Sequence, residues 1–219
     1  MSGHKEFTVR QSIVDAARQM NALGINQGTS GNISVRWEDG LLLTPSGVPY
    51  DQMNADDIVH LKMSGDCDHP LKPSSEWRFH RDIMKSREDV NAIVHAHPTY
   101  CTAFAMCRKE LPAVHYMIAA AGGATIRCGD YATFGTEELS QHAIAALKDR
   151  MCCLLANHGM IATGTDLGKA MWLAVELETL CRQYAVALQI GDPVVLPDDE
   201  IARTIEKFKD YGPRPKKAA

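Results

Sequence analysis

Ile33-Ser34-Val35-Arg36-Trp37-Glu38-Asp39-Gly40-Leu41-Leu42-Leu43 decides the fold class of this chain. Ile33 to Trp37 alternates as a strand does, Glu38-Asp39-Gly40 reads as a hairpin turn, and Leu41 to Leu43 resumes as a second short strand. Strands joined by so short a connection run antiparallel, so the sheet that contains them is not all-parallel.

Upstream, Glu6 to Leu23 places Val9, Ile13, Val14, Ala17 and Met20 near the helical period, and Gly24 follows as a terminator. Gly28-Thr29-Ser30-Gly31-Asn32 leads from that helix into the hairpin. Downstream, Thr44 to Tyr50 is broken by two prolines and a glycine, and Ile58 to Met63 is a third strand. Pro73-Ser74-Ser75-Glu76 opens a helix to Lys85 through a serine cap with a carboxylate in the first turn. Ala92 to His97 is a strand, and Pro98 to Met106 a helix, since proline is tolerated in a first turn. The small residues of Ala119 to Gly123 suggest tight packing against another backbone, of this chain or of another subunit. Thr136 starts a helix to Leu147, Cys152 to Ala156 and Gly159 to Gly164 are strands, Asp166 caps a long helix to Ile190, and Asp198 begins a last one to Phe208. Helices interleaved with short strands make an α/β domain with helices on both sides of its sheet. The 219 residues suit one domain, 1–219.

A net charge of −4 with dispersed basic residues argues against nucleic acid as a partner. No apolar run approaches the roughly 20 residues of a membrane span, and Met1 to Arg10 has no apolar core of a secretory signal, so a cytoplasmic protein without membrane contact is expected. Seven cysteines without a Cys-x-x-Cys pair read as free thiols of a reducing compartment, with Cys152 and Cys153 filling core. Neither glycine-rich nucleotide motif is present.

Chemistry enters at Val94-His95-Ala96-His97-Pro98. Two imidazoles at i and i+2 of an extended segment point to one side and can close on one metal ion. One histidine in an apolar setting is more often a hydrogen-bonded core residue; three at the ends of apolar runs change that. His158, in Asn157-His158-Gly159, also ends such a run, and Glu76 supplies a carboxylate. Three imidazoles and a carboxylate form the nitrogen and oxygen set that zinc accepts, with Mn²⁺, Co²⁺ or Fe²⁺ as alternatives. His4, His60, His69, His80 and His142 lack such contexts and read as surface or ordinary packing residues. Gly31-Asn32, Ser46-Gly47 and Ser74-Ser75 combine small residues, hydroxyls and free amides in three loops. They are either three ordinary turns or a cradle for a phosphate monoester that needs no lysine.

Taken in order, Asn26-Gln27-Gly28-Thr29-Ser30-Gly31-Asn32, Leu43 to Tyr50, Pro73-Ser74-Ser75-Glu76-Trp77-Arg78-Phe79-His80, His115 to Gly123, Tyr131 to Thr136 and Glu206 to Gly212 resemble the class II aldolase/adducin superfamily, and within it the aldolases of the L-fuculose-phosphate type. The likeness runs from about Phe7 to Tyr211. It implies a three-layer α/β/α sandwich around a largely antiparallel sheet. It implies one Zn²⁺ per subunit on Glu76, His95, His97 and His158, and a phosphate pocket of Gly31, Asn32, Ser46, Gly47, Ser74 and Ser75. It implies a homotetramer with interface active sites, in which Tyr116 and Phe134 reach a neighbour's pocket, and a mobile carboxy-terminal tail from about 206 that brings Tyr211 over substrate. The reaction so implied is cleavage of L-fuculose 1-phosphate, 5-deoxyribulose 1-phosphate or 5-methylthioribulose 1-phosphate to dihydroxyacetone phosphate and an aldehyde, with Glu76, Tyr116 and Tyr211 as catalytic residues. A pentulose-phosphate 4-epimerase, a methylthioribulose-1-phosphate dehydratase and a non-catalytic adducin-like interaction protein are the alternatives; glutamate at 76, where the epimerases carry aspartate, favours cleavage. Ala96 and Asn157 depart from the fuculose type, which carries asparagine and histidine there.

Overall fold

The computed structural model of the chain describes residues 2–209. Seven strands form one sheet in the order β3-β2-β1-β4-β7-β6-β5. They are β1 (Asn32–Trp37), β2 (Gly40–Leu43), β3 (Val59–Lys62), β4 (Ala92–Ala96), β5 (Cys128–Gly129), β6 (Cys152–Leu155) and β7 (Gly159–Gly164). Every neighbouring pair is antiparallel except β5 and β6. The helices are α1 (Ser2–Ala22), α2 (Trp77–Ser86), α3 (Thr99–Met106), α4 (Glu137–Ala146), α5 (Leu167–Ile190) and α6 (Asp198–Lys209).

Alternation along the strands sorts the apolar side chains onto two covered faces. Leu42 of β2, Val94 of β4 and Leu154 of β6 join the core under α1, α3 and α5. Leu41, Leu43, Ile93, Cys153 and Leu155 join the core under α2 and α4. The result is the three-layer α/β/α sandwich with a largely antiparallel sheet. Because both faces are buried, Leu41-Leu42-Leu43 is an unbroken apolar run with no exposed member.

The hairpin turns where the sequence indicates, with Trp37 paired to Gly40. Its left-handed position falls on Glu38 (φ 46°), however, and Gly40 is a strand residue. A Cβ on Gly40 would lie 2.1 Å from the Leu61 carbonyl oxygen, so glycine is required there by the approach of β3 and not by the turn. The stretch 119–123 packs within its own chain: Met151 N–H donates to Ala121 O, and Gly123 abuts the Arg150 guanidinium. Glu206 to Lys209, expected in the tail, form the last turn of α6. All seven cysteines are free, with Cys101, Cys152, Cys153 and Cys181 buried, and no helix among the described residues is long and apolar enough to cross a membrane.

Candidate metal centre

The end of β4, the start of α2 and the β6–β7 turn meet at one point. His95 is the last histidine within β4, and its ring lies on the α2 side of the sheet, edge-on to Phe79 at 5.2 Å between centroids. His97 lies one residue beyond the strand, followed by Pro98 in extended conformation at the N-cap of α3. His158 follows Asn157, whose φ of 54° turns the chain back from β6 into β7. Glu76 occupies the N-cap of α2, not its first turn, and the expected serine cap is absent. Instead Trp77 N–H donates to Ser74 O at 3.0 Å, and Glu76 N–H to Ser74 Oγ at 3.3 Å. That tight turn aims the Glu76 carboxylate back at the sheet.

The four ligand atoms of Glu76, His95, His97 and His158 lie within 4.8 Å of one another. Their arrangement suits a cation better than a set of hydrogen bonds. His95 Nδ1 donates to Met160 O at 2.9 Å, which fixes the ring with Nε2 toward the cluster. That nitrogen is 2.9 Å from His97 Nε2 and 3.1 Å from Glu76 Oε2. Glu76 Oε1 is buried without a hydrogen bond, although His158 Nε2 is 3.2 Å away. Ring nitrogens crowded together around an orphaned carboxylate oxygen are a fit for one divalent ion held by three nitrogens and an oxygen. The protonation states agree with that. Burial, with the neighbouring His95 and His158, brings His97 down to about 3, so it is the neutral ligand form at pH 7. Burial pushes the Glu76 carboxyl up, but the imidazoles of His95 and His158 outweigh it and hold the group well below the usual carboxylate range.

The centre forms the floor of a cleft of about 470 Å³. Gly31, Asn32, Ser46, Gly47, Ser74 and Ser75 all line it, together with Glu76, His97 and His158; Phe134, expected to reach a neighbouring subunit's pocket, lines the cleft of its own chain. Their amides are not all available, contrary to expectation. Ser46 N–H donates to Lys72 O and Ser74 N–H to Thr44 O, both at 3.0 Å, which ties the two loops together beside the Pro45–Pro73 bridge. The N–H groups of Gly47 and Ser75 and the hydroxyls of Ser46 and Ser75 have no partner among the described residues. Ser46, Gly47 and Ser75 all line the cleft, and no lysine or arginine does.

Tyr116 is not brought to this cleft. It is half exposed on the 3₁₀ turn Tyr116–Ala121, and Tyr211 lies outside the described residues. Sequence reasoning gave no role to Tyr131 and Asn157, which also line the cleft. It read His80 as a surface or ordinary packing residue; His80 is fully buried and hydrogen-bonded beside Glu76. The signal was available: His80 follows Glu76 by four residues, one helical turn, and so lies over the same face of α2.

Residues 11–185 match the family described as Class II Aldolase and Adducin N-terminal domain. The chain is 54% identical over 206 residues to the 5-methylthioribulose-1-phosphate/5-deoxyribulose-1-phosphate aldolase of Rhodospirillum rubrum, covering 94% of this chain and 93% of that one. It is 51% identical over 205 residues to the L-fuculose phosphate aldolase of Escherichia coli K12, covering 93% and 95%. Among solved structures, an L-fuculose 1-phosphate aldolase superposes with a TM-score of 0.90 at 39% identity, covering 92% of this chain and 96% of that one.

Proposed function

This chain belongs to the class II aldolase and adducin family, and from that membership we propose that it is a metal-dependent aldolase cleaving a deoxyketose 1-phosphate to dihydroxyacetone phosphate and an aldehyde. One observation carries the reading: a ligand set of Glu76, His95, His97 and His158 with an orphaned carboxylate oxygen floors the same cleft whose wall offers the unengaged donors of Ser46, Gly47 and Ser75. Zinc is the proposed ion, because three imidazoles and one carboxylate suit it and the reaction needs no redox change.

Gly47 and Ser75 amides and the Ser46 and Ser75 hydroxyls bind the C1 phosphate, which fixes where the rest of the ketose lies. When bound, the divalent ion supplies Lewis-acid stabilisation of the negative charge that develops on the ketose oxygens as C3–C4 breaks. Tyr116 of a neighbouring subunit, or another base acting through it, takes the C4 hydroxyl proton, a role that accords with its exposure here and requires the proposed homotetramer. Glu76 exchanges the proton at C3 of the dihydroxyacetone phosphate fragment. Phe134, 63% exposed at the cleft, forms an apolar wall for the aldehyde end. The proposed substrates are fuculose, 5-deoxyribulose and 5-methylthioribulose 1-phosphates. Free buried thiols support a cytoplasmic setting.

The test is release of dihydroxyacetone phosphate from a panel of these ketose 1-phosphates by zinc-loaded protein. Chelation should abolish it and zinc restore it. Turnover that survives complete removal of metal, or no cleavage of any member of the panel, overturns the proposal.

A further inference from the structure

Behind Glu76 three hydrogen bonds run in a single direction. Asn32 Nδ2 donates to Glu76 Oε2 at 3.0 Å, His80 Nε2 lies 2.5 Å from Asn32 Oδ1, and Ser34 Oγ lies 2.7 Å from His80 Nδ1. All three residues behind the carboxylate are buried, His80 and Ser34 completely. Donor and acceptor chemistry leaves one assignment. An ionised Glu76 only accepts, so the end of the Asn32 amide that faces it is Nδ2. Oδ1 then faces His80 and needs a donor, which puts the imidazole proton on Nε2. Nδ1 is left with its lone pair and takes the Ser34 hydroxyl proton. The reverse amide orientation would set Oδ1 against a carboxylate oxygen, two acceptors with no proton between them.

The fold makes this chain from two elements. Asn32 and Ser34 share a face of β1 at i and i+2, and Glu76 and His80 share a face of α2 at i and i+4. The bonds between them fix the start of α2 to the strand that pairs with β4.

We propose that His80, oriented by Ser34, is a positioning residue that locks the Asn32 amide with Nδ2 toward Glu76 and thereby sets where that carboxylate stands in the ligand cluster. Only Oε2 is engaged by the chain, so Oε1 is left for the ion. A residue that touches neither metal nor substrate then controls metal affinity and the rate of proton exchange, not substrate binding. The kinetic part of this inference rests on the aldolase reading; the rest does not.

The experiment compares the full-length protein with His80→Leu, which fills the space but cannot donate, and His80→Gln, which keeps an N–H toward Asn32. Zinc affinity, read by competition with a chromophoric chelator, should fall about 10- to 100-fold in His80→Leu and recover to within about threefold of the parent in His80→Gln. On a ketose 1-phosphate, His80→Leu should lose about 10- to 100-fold in kcat with KM changed less than about twofold. Spectra of ¹⁵N-histidine-labelled protein, assigned by difference with His80→Gln, should show His80 neutral with the proton on Nε2. A merely structural role lowers the melting temperature of both variants and does not separate their zinc affinities. Equal zinc affinity in all three proteins, a glutamine variant no better than the leucine one, or a proton on Nδ1 overturns the proposal. If His80→Leu does not fold, the tautomer and the zinc affinity of Ser34→Ala, expected to fall, decide it. Zinc binding and tautomer as expected in a protein that cleaves no ketose 1-phosphate would discard the aldolase reading and support the positioning chain.

Discussion

Gly159 lies directly against the His97 ring: a Cβ at Gly159 would come 2.5 Å from His97 Cδ2 and 2.6 Å from the Ala96 carbonyl oxygen. The first residue of β7 thus has no room for a side chain because the His97 imidazole, one residue past β4, and the Ala96 carbonyl occupy it.

Gly159→Ala should therefore displace His97 while the sheet persists. We expect zinc affinity to fall about 10- to 100-fold, measured by chelator competition, with far-UV circular dichroism unchanged. Parental affinity would mean that the ring can turn aside and still ligate.

Glu76→Gln removes the charge and the proton-exchanging oxygen but keeps the shape that Asn32 and Ser74 hold. Aldol cleavage should drop by about 10²- to 10⁴-fold in kcat, while inhibition by inorganic phosphate stays near the parental level. Near-normal turnover would remove Glu76 from the proton-transfer role.

Ser75→Ala deletes an unengaged hydroxyl of a residue that lines the cleft. Loss of a hydrogen bond to a phosphate costs about 1.5–3 kcal/mol, so KM for a ketose 1-phosphate should rise about 10- to 100-fold. Phosphate inhibition should weaken in step. A changed kcat with an unchanged KM would place the phosphate elsewhere.

Acid should destabilise the metal-free protein. Burial first, then the nearby His95, lowers His80 from 6.5 to about 3, so between these values the unfolded chain binds more protons than the folded one. Stability conferred above pH 6.5 is then lost as the pH falls toward 3, with a slope of up to about 1.4 kcal/mol per pH unit from His80 alone. The lowered His97 acts in the same direction over the same window, and the depressed Glu76 extends it below 4.5. Urea midpoints at pH 7, 6 and 5 should fall steadily, and His80→Gln should flatten the trend. Midpoints that rise toward acid would contradict these shifts.

Local pattern made much of the fold readable. Asp166 accepts from Lys169 N–H and Thr136 from Leu139 N–H, as their positions before apolar helical runs indicate, and α5 spans the predicted Leu167–Ile190. Glu76 was placed a residue too far into its helix because Ser74 serves a turn, not a cap, and short polar side chains do either. The free amides expected at Ser46 and Ser74 were misjudged because loop composition does not say which carbonyl a distant loop will present.

The sequence by itself determined that the sheet is not all-parallel and that helices cover it, since both are written in the spacing of neighbours along the chain, and with the family resemblance it singled out Glu76, His95, His97 and His158, which the fold brings together. Only the tertiary structure decided that His80 belongs behind Glu76, that Gly159 makes way for His97 and that Tyr116 stands apart from the cleft. These depend on distances between segments 44 to 65 residues apart, such as Asn32 with Glu76 and His95 with Met160. Periodicity carries no information about such distances; they are fixed when the packed layers exclude water and each buried donor must find its acceptor.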